Sequence, residues 1–449
     1  MEDIKSELDI ELINDSNRDG FKSKFGFILA CIGSAVGMGN IWMFPYRVGQ
    51  FGGAAFLIPY FTFVLLIGFT GVIGEMTLGR SMETGPLGAF EKAFKQRGLK
   101  GGRVIGMIPV IGSLAIAIGY AIVIGWILRY CVASLSGAII KLQPGPYFGD
   151  LASDFGSIPW HIAALLLTFS LMAMGIAGGI EKVNKVLMPA FFGLFLFLAI
   201  RIYMLPGAEQ GYSYLFNPDW AALKEVRTWI FALGQAFFSL SLAGSGTVVY
   251  GSYLSKKEDI INSALNVSFF DTCAAMLAAL VVIPAVFAYG LEPGAGPGLM
   301  FVTLPIVFQN MPGGQLVAII FFIAVLFAGV TSLMNLFETP VEALQNRLGF
   351  SRLKSIGIVA LISFMVGVFL EGDGLSPWMD FVSIYIIPLG ALLAGIVIYW
   401  ICKPGFAREQ IQFGRKKVVG IWFEPMTKYI FCGIAITVYI MGIFYGGIG

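Results

Sequence analysis

Apolar stretches of about 20 residues recur along this chain, and a helix needs about that length to cross the hydrocarbon of a bilayer. In lipid the backbone must satisfy its own hydrogen bonds, which leaves a helix bundle or a closed barrel. Hardly any stretch alternates polar and apolar residues, so the pattern excludes the barrel. Of 449 residues 57% are apolar and 12% charged, against roughly 25% charged in a soluble domain. The expected fold class is an all-α polytopic membrane protein. Its eleven spans are read near 24–50, 54–80, 104–136, 159–178, 183–204, 229–253, 260–290, 315–346, 352–370, 377–402 and 424–446.

With the N-terminus in the cytoplasm, nearly all of the 29 Lys and Arg fall on the inner side. The exceptions are Lys141, Lys224 and Arg227 in outer loops and Arg47, Arg129 and Arg201 within spans. That asymmetry sets the orientation through the positive-inside rule, and an odd span count leaves the C-terminus outside. The polar start has no apolar core and is not read as a cleavable signal. Cys31, Cys131, Cys273, Cys402 and Cys432 lie in or beside spans without paired spacing and read as small buried hydrophobes. The single His161 opens a span and reads as an interfacial residue; with no Cys/His cluster, no transition-metal site is expected.

Two spans carry small polar clusters at mid-length: Gly33-Ser34-Ala35-Val36-Gly37-Met38-Gly39-Asn40 and Ser239-Leu240-Ser241-Leu242-Ala243-Gly244-Ser245-Gly246. Each Gly there weakens the helix by about 1 kcal/mol relative to Ala. Small residues also serve close helix packing. Two such clusters five spans apart, however, suggest two five-span repeats of inverted topology, with the binding site where the helices break. Unwound turns free carbonyls for a cation, and the following half-helix offers N–H groups to an anion. A zwitterion and Na⁺ suit such a cavity. The eighth span adds Ala328-Gly329-Val330-Thr331-Ser332, whose hydroxyls either bond back along their own helix or face the first break.

At these residues the chain resembles the neurotransmitter:sodium symporter family, in its bacterial amino-acid transporter branch with eleven spans. The first cluster continues as Ile41-Trp42-Met43-Phe44-Pro45-Tyr46, followed by Gly52-Gly53-Ala54-Ala55-Phe56 and Ile58-Pro59-Tyr60. Gly234-Gln235-Ala236-Phe237-Phe238-Ser239-Leu240-Ser241 and Phe327 to Ser332 add support. The resemblance implies a five-plus-five inverted repeat that alternates access around a midplane site. The chain then divides into a cytoplasmic segment 1–23, repeats 24–204 and 205–402, and a cytoplasmic loop with the eleventh span over 403–449.

The resemblance implies two Na⁺ sites. The first would use the Ala35 carbonyl, the Asn40 side chain, Ser239 and Asp271; the second would use carbonyls of Gly33, Val36 and Ala328 with the hydroxyls of Thr331 and Ser332. The substrate carboxylate would meet the first ion, N–H groups near Gly37 to Gly39, and the Tyr120 hydroxyl. Its ammonium would face the Ala35 and Phe238 carbonyls and Ser241. The side-chain pocket would be Ser34, Met38, Ile116, Phe238, Gly244, Ser245, Ser332 and Leu336. Monoamine carriers of the family have Asp at the position of Gly37, so Gly37 implies an amino acid, which brings its own carboxylate. A leucine-transporting member has Phe at the position of Gly244. Losing that ring opens on the order of 100 Å³, enough for a bulky side chain. Chloride-dependent members have Asn where this chain has Asp271, which implies chloride independence.

The family's outer gate is an Arg on span 1 facing an Asp on span 10. Here Met43 stands at the Arg position, Asp380 remains, and Arg47 lies one turn later. Either Arg47 reaches Asp380, directly or through water, or it runs to the interface. At the inner gate Arg18 and Phe21 match a pair that ties the N-terminal segment to the bundle, with Tyr253 capping Arg18. The usual Asp partner is replaced by Asn346, leaving Glu338 or Glu342 to close the pair. Glu75 is expected to satisfy the unwound segments. Gly179 and Pro189 match a family spacing that permits local unwinding.

The reading is a sodium-coupled importer of a neutral, bulky hydrophobic or aromatic L-amino acid in the inner membrane of a prokaryote. It would carry two co-transported Na⁺ and no organic cofactor, bind no nucleic acid, and not be an enzyme. A carrier of small neutral amino acids or another zwitterion is the alternative, and an ion channel a more remote one.

Overall fold

The computed structural model describes residues 20–242, 245–292, 296 and 298–448. Arg18, Ala243 and Gly244 lie outside the described residues. Among the described residues the chain is helical without strands. Seven single helices among the described residues are long and apolar enough to cross a membrane: Ala54–Met82, Gly102–Leu135, Ile176–Tyr203, Ile260–Phe287, Gly314–Leu348, Leu375–Ile401 and Phe423–Tyr445. Lys24–Ala35 and Gly39–Gln50 pass the same test together, bent by 53° at their junction. The other three expected spans hold shorter pieces: Ile158–Ala173, Val226–Ser239 followed by Gly246–Ser252, and Arg352–Val368.

Helices that position the site are labelled α1 (Lys24–Ala35), α2 (Gly39–Gln50), α3 (Ala54–Met82), α4 (Pro86–Gln96), α5 (Gly102–Leu135), α6 (Ile158–Ala173), α7 (Ile176–Tyr203), α8 (Val226–Ser239), α9 (Gly246–Ser252), α10 (Ile260–Phe287), α11 (Gly314–Leu348), α12 (Arg352–Val368) and α13 (Leu375–Ile401). Short helices at Pro144–Leu151, Glu209–Phe216, Leu299–Asn310 and Phe406–Gln412 fill loops where the sequence reading placed none. The two longest helices, α5 and α11, pack along each other and frame the site.

The turn between spans 4 and 5 differs from expectation. Gly175 takes φ 86°, a left-handed conformation open to Gly, and ends α6 early. The chain then re-enters helix at once through a wide π turn over Ile176–Glu181. Gly179 sits in that turn, where a β-carbon would lie 2.2 Å from the Leu171 carbonyl oxygen. Pro189 lies inside the helix that follows. His161 is also corrected: it is fully buried rather than interfacial, with Nδ1 3.3 Å from a Glu371 carboxylate oxygen. Burying a polar ring on α6 requires such a partner, and Glu371 follows α12, which packs on α6. All five cysteines are free thiols.

Candidate functional site

The site begins where α1 stops. Val36 turns to φ −70°, ψ 107°, while its N–H still closes on Ile32 at 2.7 Å. A helix end leaves its last carbonyls without partners in the helix. The Ser34 carbonyl is taken by two hydroxyls, Ser241 at 2.7 Å and Ser332 at 3.2 Å. The Gly37 N–H donates to Asn40 Oδ1 at 3.1 Å, and the Met38 N–H to the Tyr120 hydroxyl at 2.9 Å. A β-carbon on Gly37 would lie 2.9 Å from both the Tyr120 and Ser332 hydroxyl oxygens. Only Gly allows this approach without displacement. The Gly39 carbonyl accepts from Gln235 at 2.9 Å, a contact the sequence reading did not anticipate.

The second break faces the first. Helix α8 ends at Ser239 and α9 starts at Gly246. Between them Ser241 and Ser245 take φ 56° and 54°. Left-handed conformations cost a non-Gly residue roughly 1–3 kcal/mol and persist where surroundings impose them, often at binding sites. Close packing imposes this one in part. A β-carbon on Gly246 would lie 1.9 Å from Asn335 Oδ1 on α11. Glu75 on α3 accepts from Thr247, one residue into α9.

Asp271, on α10, is completely buried. Its Oδ1 accepts from Asn40 Nδ2 at 2.7 Å and its Oδ2 from Ser239 Oγ at 2.7 Å. Asn40 Nδ2 also lies 3.1 Å from Ser239 Oγ. Three elements thus converge on one carboxylate whose hydrogen-bond partners are all neutral. Among the described residues no Lys or Arg pairs with it. A buried carboxylate without a countercharge is costly, and a bound cation would offset that cost. The donor set fits a hard cation: carboxylate, hydroxyl, amide and backbone oxygens.

Of the residues expected at the second ion, Thr331 Oγ1 lies 3.0 Å from the carbonyls of Phe327 and Ala328 on its own helix. Ser332 turns to Ser34 rather than to Gly33 or Val36. Gly33 touches this face closely: a β-carbon there would lie 3.1 Å from Thr331 Cβ. Toward the pocket, Met38 and Ser34 are buried, and Ile116, Phe238 and Leu336 are half-buried. Ile116 and Phe238 pack with Trp378 and Ile386 around Ala115, Val382 and Ile387, a cluster separate from the main core. Trp378 Nε1 donates to the Ala115 carbonyl at 2.8 Å. Ser245 is buried with its hydroxyl unpaired among the described residues.

The gates depart from expectation. Arg47 makes no ion pair with Asp380. Its guanidinium lies over the Phe231 ring at 4.4 Å and donates to Gln50 at 3.2 Å, while Asp380 is exposed on α13. A planar guanidinium stacks readily on an aromatic face, and Phe231 from α8 offers one nearby. Glu338 does bind a cation, but an unforeseen one: Arg352 grips it with two bonds of 2.9 and 2.8 Å. Tyr253 donates to the same carboxylate at 2.9 Å. Glu342 instead holds the start of α4, accepting from the Gly85 N–H at 2.6 Å and Thr84 at 3.0 Å, with Asn346 also donating to it. Phe21 packs edge-on against Phe27 and Tyr250. Glu181, also unforeseen, accepts from the Lys22 N–H at 2.6 Å and the Ser23 hydroxyl at 2.7 Å, tying the start of α1 to α7.

Bent and interrupted membrane-length helices gathered around a buried carboxylate mark a helical membrane protein with a polar site in its core. The model of the sodium:neurotransmitter symporter family matches residues 18–143 and 138–446, and the chain belongs to that family. A sodium-dependent transporter of Haemophilus influenzae is 30% identical, the match covering 96% of this chain and 99% of that protein. The sodium-dependent transporter YhdH of Bacillus subtilis is 36% identical over 84% of this chain and 86% of its own length. The crystal structure of MhsT in complex with L-phenylalanine superposes with a TM-score of 0.85 at 33% identity, covering 95% of this chain and 100% of that one. The protein is a sodium-dependent symporter with several membrane-crossing helices.

Proposed function

We propose that this symporter imports a bulky hydrophobic or aromatic L-amino acid with two Na⁺ and without chloride. The observation that carries the reading is the buried Asp271 carboxylate, held by neutral donors beside a helix break that presents backbone N–H groups. One Na⁺ sits among the Ala35 carbonyl, Asn40, Ser239 and Asp271. The second sits among the carbonyls of Gly33, Val36 and Ala328 with Thr331 and Ser332. The amino-acid carboxylate meets the first ion, the N–H groups of Gly37 to Gly39 and Tyr120. Its ammonium meets the carbonyls of Ala35 and Phe238 and the Ser241 hydroxyl. In support, the Tyr120 hydroxyl accepts from the Met38 N–H at 2.9 Å, an arrangement in which its own O–H can turn to a carboxylate at this point. The preference for a large side chain rests on Gly244 and on the L-phenylalanine bound by MhsT.

Transport proceeds by alternating access of two inverted halves, 24–204 and 205–402, in an eleven-span protein of a prokaryotic inner membrane. The N-terminus lies in the cytoplasm and the C-terminus outside. The Ile116–Phe238–Trp378 cluster closes the outer side, and Glu338 with Arg352 and Tyr253 closes the inner side.

Uptake into proteoliposomes tests this. Radiolabelled phenylalanine should accumulate against an inward Na⁺ gradient, with Trp, Tyr and Leu competing better than Ala or Gly, and with gluconate replacing chloride at no loss. Competition led by Gly or Ala, or a requirement for external chloride, would overturn the substrate class or the ion assignment respectively.

A further inference from the structure

Asn184, two turns into α7, is completely buried. Its Nδ2 donates at 2.8 Å to the carbonyl of Ile180, which belongs to the π turn over Ile176–Glu181. Its Oδ1 has no hydrogen-bond partner among the described residues. The donation to Ile180 fixes the orientation of the amide, since turning it over would set oxygen against oxygen. Oδ1 therefore faces α1, where a β-carbon built on Gly33 would lie 1.9 Å from it and 3.1 Å from Thr331 Cβ. An orphaned hard oxygen thus points between two residues assigned above to the second Na⁺.

We propose that Asn184 Oδ1 supplies a further oxygen to that second sodium site. The inference deepens the proposed function and rests on its assignment of Gly33 and Thr331. An amide oxygen is a neutral hard donor of the same kind as the carbonyls and hydroxyls around it. Its placement also has a consequence for release. The same amide is anchored by Ile180, so Oδ1 stays aimed at the ion only while the turn over Ile176–Glu181 remains wound. Opening that turn removes an oxygen from the ion, and losing the ion frees the amide, a reciprocal linkage.

The test is binding of radioactive Na⁺ to the purified full-length chain, alongside thermal melting across a Na⁺ titration; neither requires the amino acid to be known. Asn184→Ala should raise the half-saturating Na⁺ concentration about tenfold, the loss expected for one neutral oxygen. Asn184→Asp, which keeps an oxygen, should bind Na⁺ as tightly as the parent or more tightly. A purely packing role would lower the melting temperature in Na⁺-free buffer equally in both variants and leave the Na⁺ midpoint in place. Thr331→Ala is the reference. If it shifts the midpoint and Asn184→Ala stays within about twofold of the parent, this inference fails and the second site stands. If neither variant shifts it, the second-site reading itself fails. Should Asn184→Ala not yield folded protein, Asn184→Ser, whose shorter side chain withdraws the oxygen, is read by the criteria for Asn184→Ala, and the expectation for Asn184→Asp is unchanged.

Discussion

Asp271→Asn separates charge from shape at the centre of the site. The side chain keeps its volume and one oxygen, so Asn40 can still donate to it, and the Ser239 hydroxyl can rotate to accept. Only the net charge beside the first Na⁺ disappears. Two unit charges about 4 Å apart interact by about 4 kcal/mol at an effective dielectric of about 20. The retained amide dipole recovers part of this, leaving a loss of about 3 kcal/mol, or roughly a hundredfold in Na⁺ affinity.

Melting read with and without Na⁺ distinguishes that loss from simple damage. A site 100-fold saturated stabilises the fold by about 2.7 kcal/mol, and one at its dissociation constant by about 0.4. The sodium-induced shift in melting temperature should therefore collapse. In sodium-free buffer the variant should be at least as stable as the parent, because a buried charge with only neutral partners has been removed. A Na⁺ midpoint within about threefold of the parent would refute the electrostatic role of Asp271. So would a destabilisation of equal size with and without Na⁺.

Three further predictions follow from the geometry. Tyr120→Phe removes the acceptor for the buried Met38 N–H and should weaken amino-acid binding about tenfold at saturating Na⁺, read by equilibrium binding, with the Na⁺ midpoint little changed. Arg352→Gln leaves the Glu338 carboxylate buried without its countercharge, a loss of about 3–5 kcal/mol that should lower the melting temperature and favour inward opening, read by labelling of cysteines placed along the inner pathway. Glu181→Gln weakens the bonds to the Lys22 N–H and Ser23, so amide exchange at the start of α1 should accelerate about tenfold or more by mass spectrometry, while exchange in α11 stays unchanged.

The helix breaks were legible in sequence because a broken helix needs residues without bulk, and Gly37 shows why: a β-carbon there would crowd the Tyr120 and Ser332 hydroxyls at 2.9 Å. Asp271 was legible because a carboxylate inside an apolar run has few reasons to be there. The gate pairings were not. Glu338 and Arg352 stand on different helices, joined through a turn at Gly349 whose φ is 64°, and no periodicity reports what lies across such a turn. Arg47 was expected to reach Asp380 or to run to the interface, and the Phe231 ring that its guanidinium lies over comes from a distant part of the chain. His161 looked interfacial only because it opens a span; its partner Glu371 lies far along the chain. Periodicity and composition locate elements, whereas pairings between distant elements depend on packing that only the folded arrangement supplies.

The Ser34 carbonyl shows how binding at such a site couples to the helices around it. A carbonyl oxygen has two lone pairs, and here both are taken, by Ser241 from the second break and by Ser332 from α11. Three elements that must shift relative to one another are thereby joined at one atom. In the proposed pose the ammonium donates to Ser241 Oγ, whose lone pairs accept it while the O–H still donates to Ser34. Ser332 is shared in the same way, since the second Na⁺ calls on its lone pairs and leaves its O–H to Ser34. Binding both ligands therefore adds bonds to cargo at a junction where the helices already meet. Leaving removes them, which gives the empty and loaded proteins junctions of different strength without any gate residue being touched.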